Sequence, residues 1–162
     1  MASLDKLAIR GIRSFDDKQL AVIEFFNPVT VIVGHNGSGK TTIIECLKYA
    51  TTGDQPPNTR GGAFIHDPKM ANEKEVKAQV RLRFVAANGQ QMFVMRNLSV
   101  TVKKTGAMQM KTLEGVLGIS EHGGKGVCSD VLLSSTLLTQ LLISVEHYQQ
   151  SAQKWILRYQ LY

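Results

Sequence analysis

The chain has 162 residues, 43% of them hydrophobic and 20% charged, with a formal net charge of +6 and a pI near 9.4. That is enough for one ordinary domain and no more, and the composition excludes wholesale disorder. The basic excess suits a nucleic-acid partner or any phosphate ligand without choosing between them. Beyond Lys125 only Asp130, Glu146, Lys154 and Arg158 are charged and they balance, so the tail differs in composition from the body. Cys46 and Cys128 stand far apart with no CxxC pair, as expected of reduced thiols inside a cell. The opening MASLDKLAIRG has no apolar signal-like region, and the longest uncharged stretch, Val131–Val145, is 15 residues, short for a membrane span. A soluble intracellular protein is the expectation.

Leu4–Ile12 alternates as a strand, and Leu20–Phe26 reads as a second one that ends at the turn signal Asn27-Pro28. Val29–Val33 is β-branched and apolar on both faces, the pattern of a buried central strand. After a glycine loop, Thr41–Thr52 reads as a helix with Ile43, Ile44, Leu47 and Ala50 on one stripe. Gly53 fits its C-cap, and Pro56-Pro57 stop it. Gln55–Lys69 is a loop rich in Pro, Gly and Asn. Val76, Ala78, Val80, Leu82 and Phe84 then alternate with Lys77, Gln79, Arg81 and Arg83, giving a strand with an apolar and a basic face. Ala87-Asn88-Gly89 signals a hairpin, Gln91–Arg96 the returning strand, and Leu98–Val102 a further one. No internal repeat or low-complexity tract is present.

Gly34-His35-Asn36-Gly37-Ser38-Gly39-Lys40-Thr41-Thr42 fits GxxxxGK[ST] in full. Its glycines let backbone approach phosphate, and its N–H groups form an anion nest at a helix N-terminus. Lys40 reaches the β- and γ-phosphates, and Thr41 supplies the hydroxyl that usually ligates Mg²⁺. A β-branched run before the loop and an amphipathic helix after it make this a phosphate site rather than an ordinary glycine turn. ATP with Mg²⁺ is the expected ligand, with Lys40 and Thr41 as the catalytic pair and Thr41 as the metal ligand.

Hydrolysis needs a second, acidic magnesium ligand and a group that orients water. The one apolar run ending in an acid, Leu141–Val145 before Glu146, is broken by Ser144 and looks helical, which fits a packing face better than a Walker B strand. Gly123-Gly124 lacks the flanking residues of an LSGGQ element and reads as a flexible turn.

Lys6-Leu7-Ala8-Ile9-Arg10-Gly11-Ile12-Arg13-Ser14-Phe15 resembles the opening strand and turn of the SMC-like repair ATPases. Val29–Asn58, Gly61–Lys69, Glu75–Phe84 and Lys111–Gly118 extend the likeness, and together they resemble the Rad-fifty family over roughly residues 1–125. The resemblance implies an α/β fold, the N-terminal lobe of an ABC/SMC-type P-loop NTPase, with a strand-rich sheet around one P-loop helix. It implies a head split in two: a coiled coil with a zinc hook, then a C-terminal lobe with the LSGGQ-type element and Walker B. Two such heads sandwich ATP, and their closure governs the nuclease subunit of the MRN/MRX complex and double-stranded DNA. A nuclear, chromosomal location with no membrane contact follows.

By the same resemblance, Asn36, Gly37, Ser38, Gly39, Lys40, Thr41 and Thr42 contact phosphate and magnesium. Arg13, with Ser14 beside it, reaches the phosphates from the first turn, although a solvated surface charge is the plainer reading of Arg13 alone. Ile65 and Asp67 border the nucleoside. His35 receives no role. Lys77, Arg81, Arg83, Lys103, Lys104 and Lys111 suit DNA phosphates as well as they suit a solvated sheet face.

After Lys125 the likeness is expected to end. A Gln-bearing FCHQ-like loop, heptads, a CxxC hook (hence zinc) and a second lobe do not follow; leucines at 132/133, 137/138 and 141/142 allow a helical segment instead. Residues 1–125 therefore read as a partial ATPase lobe, and 126–162 as a divergent tail of a truncated, frameshifted or alternative product. Such a chain binds ATP weakly and turns it over negligibly. Two other classes stay open: a small P-loop phosphotransferase, which would need a lid with arginines, and a non-catalytic interaction fragment.

Overall fold

A computed structural model of the protein describes residues 2–59, 62–103, 106–120 and 128–129. The apolar run Leu141–Val145, Gly123-Gly124 and nearly all of the tail lie outside them, as does Lys104.

The apolar alternation at Val76–Phe84 forms strand β3 (Glu75–Val85), whose inward side chains are at most 2% exposed. β3 turns through Ala86–Gln90 into the antiparallel β4 (Gln91–Val102), with Gly89 N–H donating to Ala86 O at 2.9 Å. On its other edge β3 pairs with β1 (Ser3–Arg10), Leu7 opposite Leu82 and Ile9 opposite Val80. β1 in turn pairs with β2 (Ala21–Glu24).

The two strands expected at Gln91–Arg96 and Leu98–Val102 are a single strand with two partners. Leu98–Val102 pairs with β5 (Met108–Thr112), and Met92–Met95 with β6 (Val116–Ile119). Asn97 stands at the change of partner, its Nδ2 donating to Glu114 O at 3.1 Å and its carbonyl accepting from Leu113 N–H at 2.9 Å. β7 (Cys128–Ser129) pairs with β6, so the sheet among the described residues runs β2-β1-β3-β4-β6-β7, with β5 also on β4.

One long helix, α1 (Lys40–Thr52), packs across this sheet, and a short one, α2 (Pro68–Ala71), lies beside it. Ile43, Cys46, Leu47 and Ala50 of α1 join Leu7, Ile9, Val80 and Leu82 in the core. Each buried leucine, isoleucine or valine among them contributes on the order of 1.5–3 kcal/mol by leaving water. Tyr49 meets Phe64 edge to face, with ring centroids 5.6 Å apart. The helix predicted from its stripe is thus found, ending at Gly53, whose N–H donates to Tyr49 O.

Val29–Val33 is a correction. No strand is assigned there, and Val29, Val31 and Val33 are 61%, 74% and 87% exposed, while Ile32 packs against the core. A segment apolar on both faces needs cover on both faces to be a central strand. Here Ile32 meets the core while the three valines stay largely exposed.

Candidate nucleotide-binding site

The glycine loop leads straight into α1. Gly39 is its N-cap, with φ 89°, a left-handed backbone that glycine adopts without strain and other residues avoid. No side chain caps α1, so its first N–H groups and the positive end of its dipole are left for a ligand. Lys40 folds back over the loop, Nζ donating to Gly34 O and His35 O at 2.7 Å each. Thr41 is exposed at the same end, and Thr42 is buried beneath it.

The turn after β1 closes the other side. Gly11 N–H donates to Asp16 O at 2.8 Å and Phe15 N–H to Ile12 O at 2.8 Å, so residues 11–16 form a tight loop. It abuts the P-loop: a Cβ at Gly39 would lie 3.4 Å from the Phe15 ring and 3.6 Å from Ser14 Oγ. A cleft of about 420 Å³ opens between them, with Arg13 and Ser14 on one wall and Asn36, Gly37 and Gly39–Thr42 on the other. Two cations and no carboxylate line it, the charge balance an oligophosphate requires.

Arg13 is held unusually firmly. Its φ is 46°, its N–H donates to Phe64 O at 3.1 Å, and its carbonyl accepts from His66 Nδ1. Its Nη2 donates to Glu45 Oε1 at 3.1 Å, and Nη1 lies 2.9 Å from Oε2, a buried atom outside hydrogen-bond alignment. Glu45 and His66 escaped the sequence reading because no one-dimensional pattern pairs a helix glutamate with a turn 32 residues earlier.

Three expected site residues stand away from the cleft lining. Ser38 packs over Gly34 within the loop. Ile65 is buried and bridges Ile12, bracing the first turn from behind. Asp67 caps α2, accepting from Lys69 N–H at 2.9 Å. Among the described residues no group of three or more His, Cys, Asp or Glu is placed to hold a metal. The hydroxyl of Thr41 fits one Mg²⁺ position, with phosphate oxygens needed for others. Burial pushes the Cys46 thiol up to about 12, helped by the Glu45 carboxylate and opposed by Arg13. The thiol is therefore inert packing.

The AAA domain family matches residues 6–152. The chain belongs to that family. The chain is 57% identical over 130 residues to the DNA repair protein RAD50 of Saccharomyces cerevisiae, covering 80% of this chain and 10% of that protein. It is 61% identical over 130 residues to rad50 of Schizosaccharomyces pombe, and 52% to RAD50 of Arabidopsis thaliana. The chain thus spans about a tenth of the length of these curated relatives. Among solved structures, the recombination mediator protein RecF, described as RecF-ATP, superposes with a TM-score of 0.51. That match has 15% identity and covers 81% of this chain and 29% of RecF, a likeness of fold. The expected α/β lobe of an ABC/SMC-type P-loop NTPase and the Rad-fifty resemblance both stand. No helix among the described residues is long and apolar enough to cross a membrane.

Proposed function

We propose that the chain binds ATP with Mg²⁺ as the N-terminal part of a DNA double-strand-break repair ATPase. In this reading two heads close on the nucleotide, in company with a C-terminal lobe, a nuclease subunit and double-stranded DNA in the nucleus. One observation carries it: Arg13 and Ser14, distant in sequence from the P-loop, line the same cleft as Lys40 and Thr41.

Lys40 exchanges its two carbonyl partners for phosphate oxygens, and the uncapped start of α1 receives the same anion. Bound Mg²⁺ supplies charge neutralisation between phosphates, with Thr41 as its protein hydroxyl. The stretch holding Ile65 and Asp67 carries the first turn at the nucleoside border. Residues 1–125 form the lobe and 126–162 an appended tail. The outer face of β3 is the DNA-facing side, although Arg81 lies 4.5 Å over the Phe93 ring and Arg83 pairs with Asp5 at 3.4 Å. Lys77, Lys103 and Lys111 are exposed and can meet phosphates.

The test is a titration with a fluorescent ATP analogue in Mg²⁺. Lys40→Ala should weaken binding by roughly tenfold or more, the effect of losing a charge-assisted phosphate contact. Equal binding by both proteins overturns the reading. Turnover by the chain alone should be negligible, because the cleft offers no carboxylate to complete a hydrolytic site. Robust turnover lost in Lys40→Ala contradicts a divided site.

A further inference from the structure

Arg13 reaches the cleft from a turn, and an arginine side chain on a turn has rotamer freedom to lose when it grips a ligand. Here that freedom is already removed. The backbone is fixed by Phe64 and His66, and the side chain is fixed by Glu45. Because the Arg13 carbonyl only accepts, His66 must carry its proton on Nδ1, so this clamp survives in either charge state of the ring.

Glu45 lies on α1 one turn beyond Thr41, on the same face, yet does not itself line the cleft. The pair is partly shielded, with the Arg13 and Glu45 side chains 34% and 22% exposed, so it is held more firmly than a fully solvated ion pair. We propose that Glu45 is a positioning residue for nucleotide binding: one hydrogen bond to Nη2 and a close ion contact to Nη1 hold Arg13 and present its guanidinium to the phosphates. The inference rests on the reading of Arg13 as a phosphate contact.

Two effects of the carboxylate oppose each other. Its negative charge lowers the positive potential of the cleft, while its grip pre-organises the arginine. The second wins, because a guanidinium has more donor hydrogens than this pair consumes. Nε–H and the outward Nη hydrogens stay free, so phosphate need not displace the carboxylate, and pre-organisation raises affinity.

Fluorescent ATP titrations of the 162-residue chain in Mg²⁺ test this with wild type, Glu45→Gln, Arg13→Ala and the double variant. Glu45→Gln should weaken binding roughly threefold to tenfold, the coupling expected of a contacting pair. It should weaken it no further once Arg13 is alanine, a dependence that a merely structural role would not show. Unchanged or tighter binding by Glu45→Gln overturns the proposal, the latter by showing that the carboxylate competes with phosphate. An equal loss in the Arg13→Ala background overturns it too. Should Glu45→Gln fail to fold by circular dichroism, Glu45→Asp, which draws the carboxylate back by one methylene, must weaken binding only while Arg13 is present; wild-type affinity overturns the proposal. Wild-type binding lost in Lys40→Ala but untouched in Glu45→Gln sinks this inference alone. No binding by wild type sinks the ATP reading and this one with it.

Discussion

Arg96 on β4 donates from Nε to the carbonyl of Ala50 at 3.0 Å, with its guanidinium 5.9 Å from the Tyr49 ring centroid. Ala50 lies in the last turn of α1, where carbonyls have no partner within the helix and where the helix has no basic residue of its own. The sheet therefore supplies the C-terminal charge that the helix lacks. Burial lowers the Arg96 pKa, opposed by Tyr49 and Asp54, yet an arginine stays charged across the working range. Since Glu45 ties the same helix to the first turn, α1 is anchored along its length, and its N-terminal end is held in place. Arg96→Ala should cost about 1.5–3 kcal/mol, the worth of a hydrogen bond to a charged group. A urea melt checks it, and a midpoint equal to wild type would deny the arginine this role.

Gly53 shares that corner. Its φ is 81°, and a Cβ there would lie 2.9 Å from Arg96 Nη1. Gly53→Ala meets two penalties, the left-handed backbone at roughly 1–2 kcal/mol and the displacement of a bonded guanidinium. Only the second depends on Arg96. Combined with Arg96→Ala, the alanine should thus cost less than it does alone, and simple additivity in denaturation would refute the shared corner.

Much of this was legible beforehand, for physical reasons. The strand at Val76–Phe84, the hairpin turn and α1 each carry a local signal strong enough to survive without tertiary context. The P-loop is a local motif too, a glycine-rich run that leads directly into α1. Asn97 misled because a polar residue in a strand looks like a break, whereas here it joins two partner strands. Val29–Val33 misled because periodicity reports what a segment could bury and not whether anything arrives to cover it. Glu45 and His66 were invisible because their meaning lies in where the chain folds back.

The exposed valines carry a consequence for handling. Val29, Val31 and Val33 form an apolar row beside Phe26, itself 65% exposed. Rows of this kind template association. Val31→Lys should raise the concentration at which light scattering begins and leave the melting temperature unchanged, since Val31 is 74% exposed and supports little of the core. A fall in melting temperature would mean that the valine packs inside.

Cys46 gives the fold an alkaline limit. Its thiol is raised from 9.0 to about 12, chiefly by burial, so the native state favours the protonated form. The unfolded chain releases that proton first. Stability from this group is therefore complete below pH 9 and declines as pH rises toward about 12, because above 9 the native state binds more protons than the unfolded one. The slope reaches about 1.4 kcal/mol per pH unit. Other groups change charge under alkaline conditions, so the difference between wild type and Cys46→Ala isolates the thiol. Unfolding free energies at successive pH values should converge for the two proteins above pH 9, with wild type losing more. Parallel curves would show that Cys46 ionises in the fold as easily as in water.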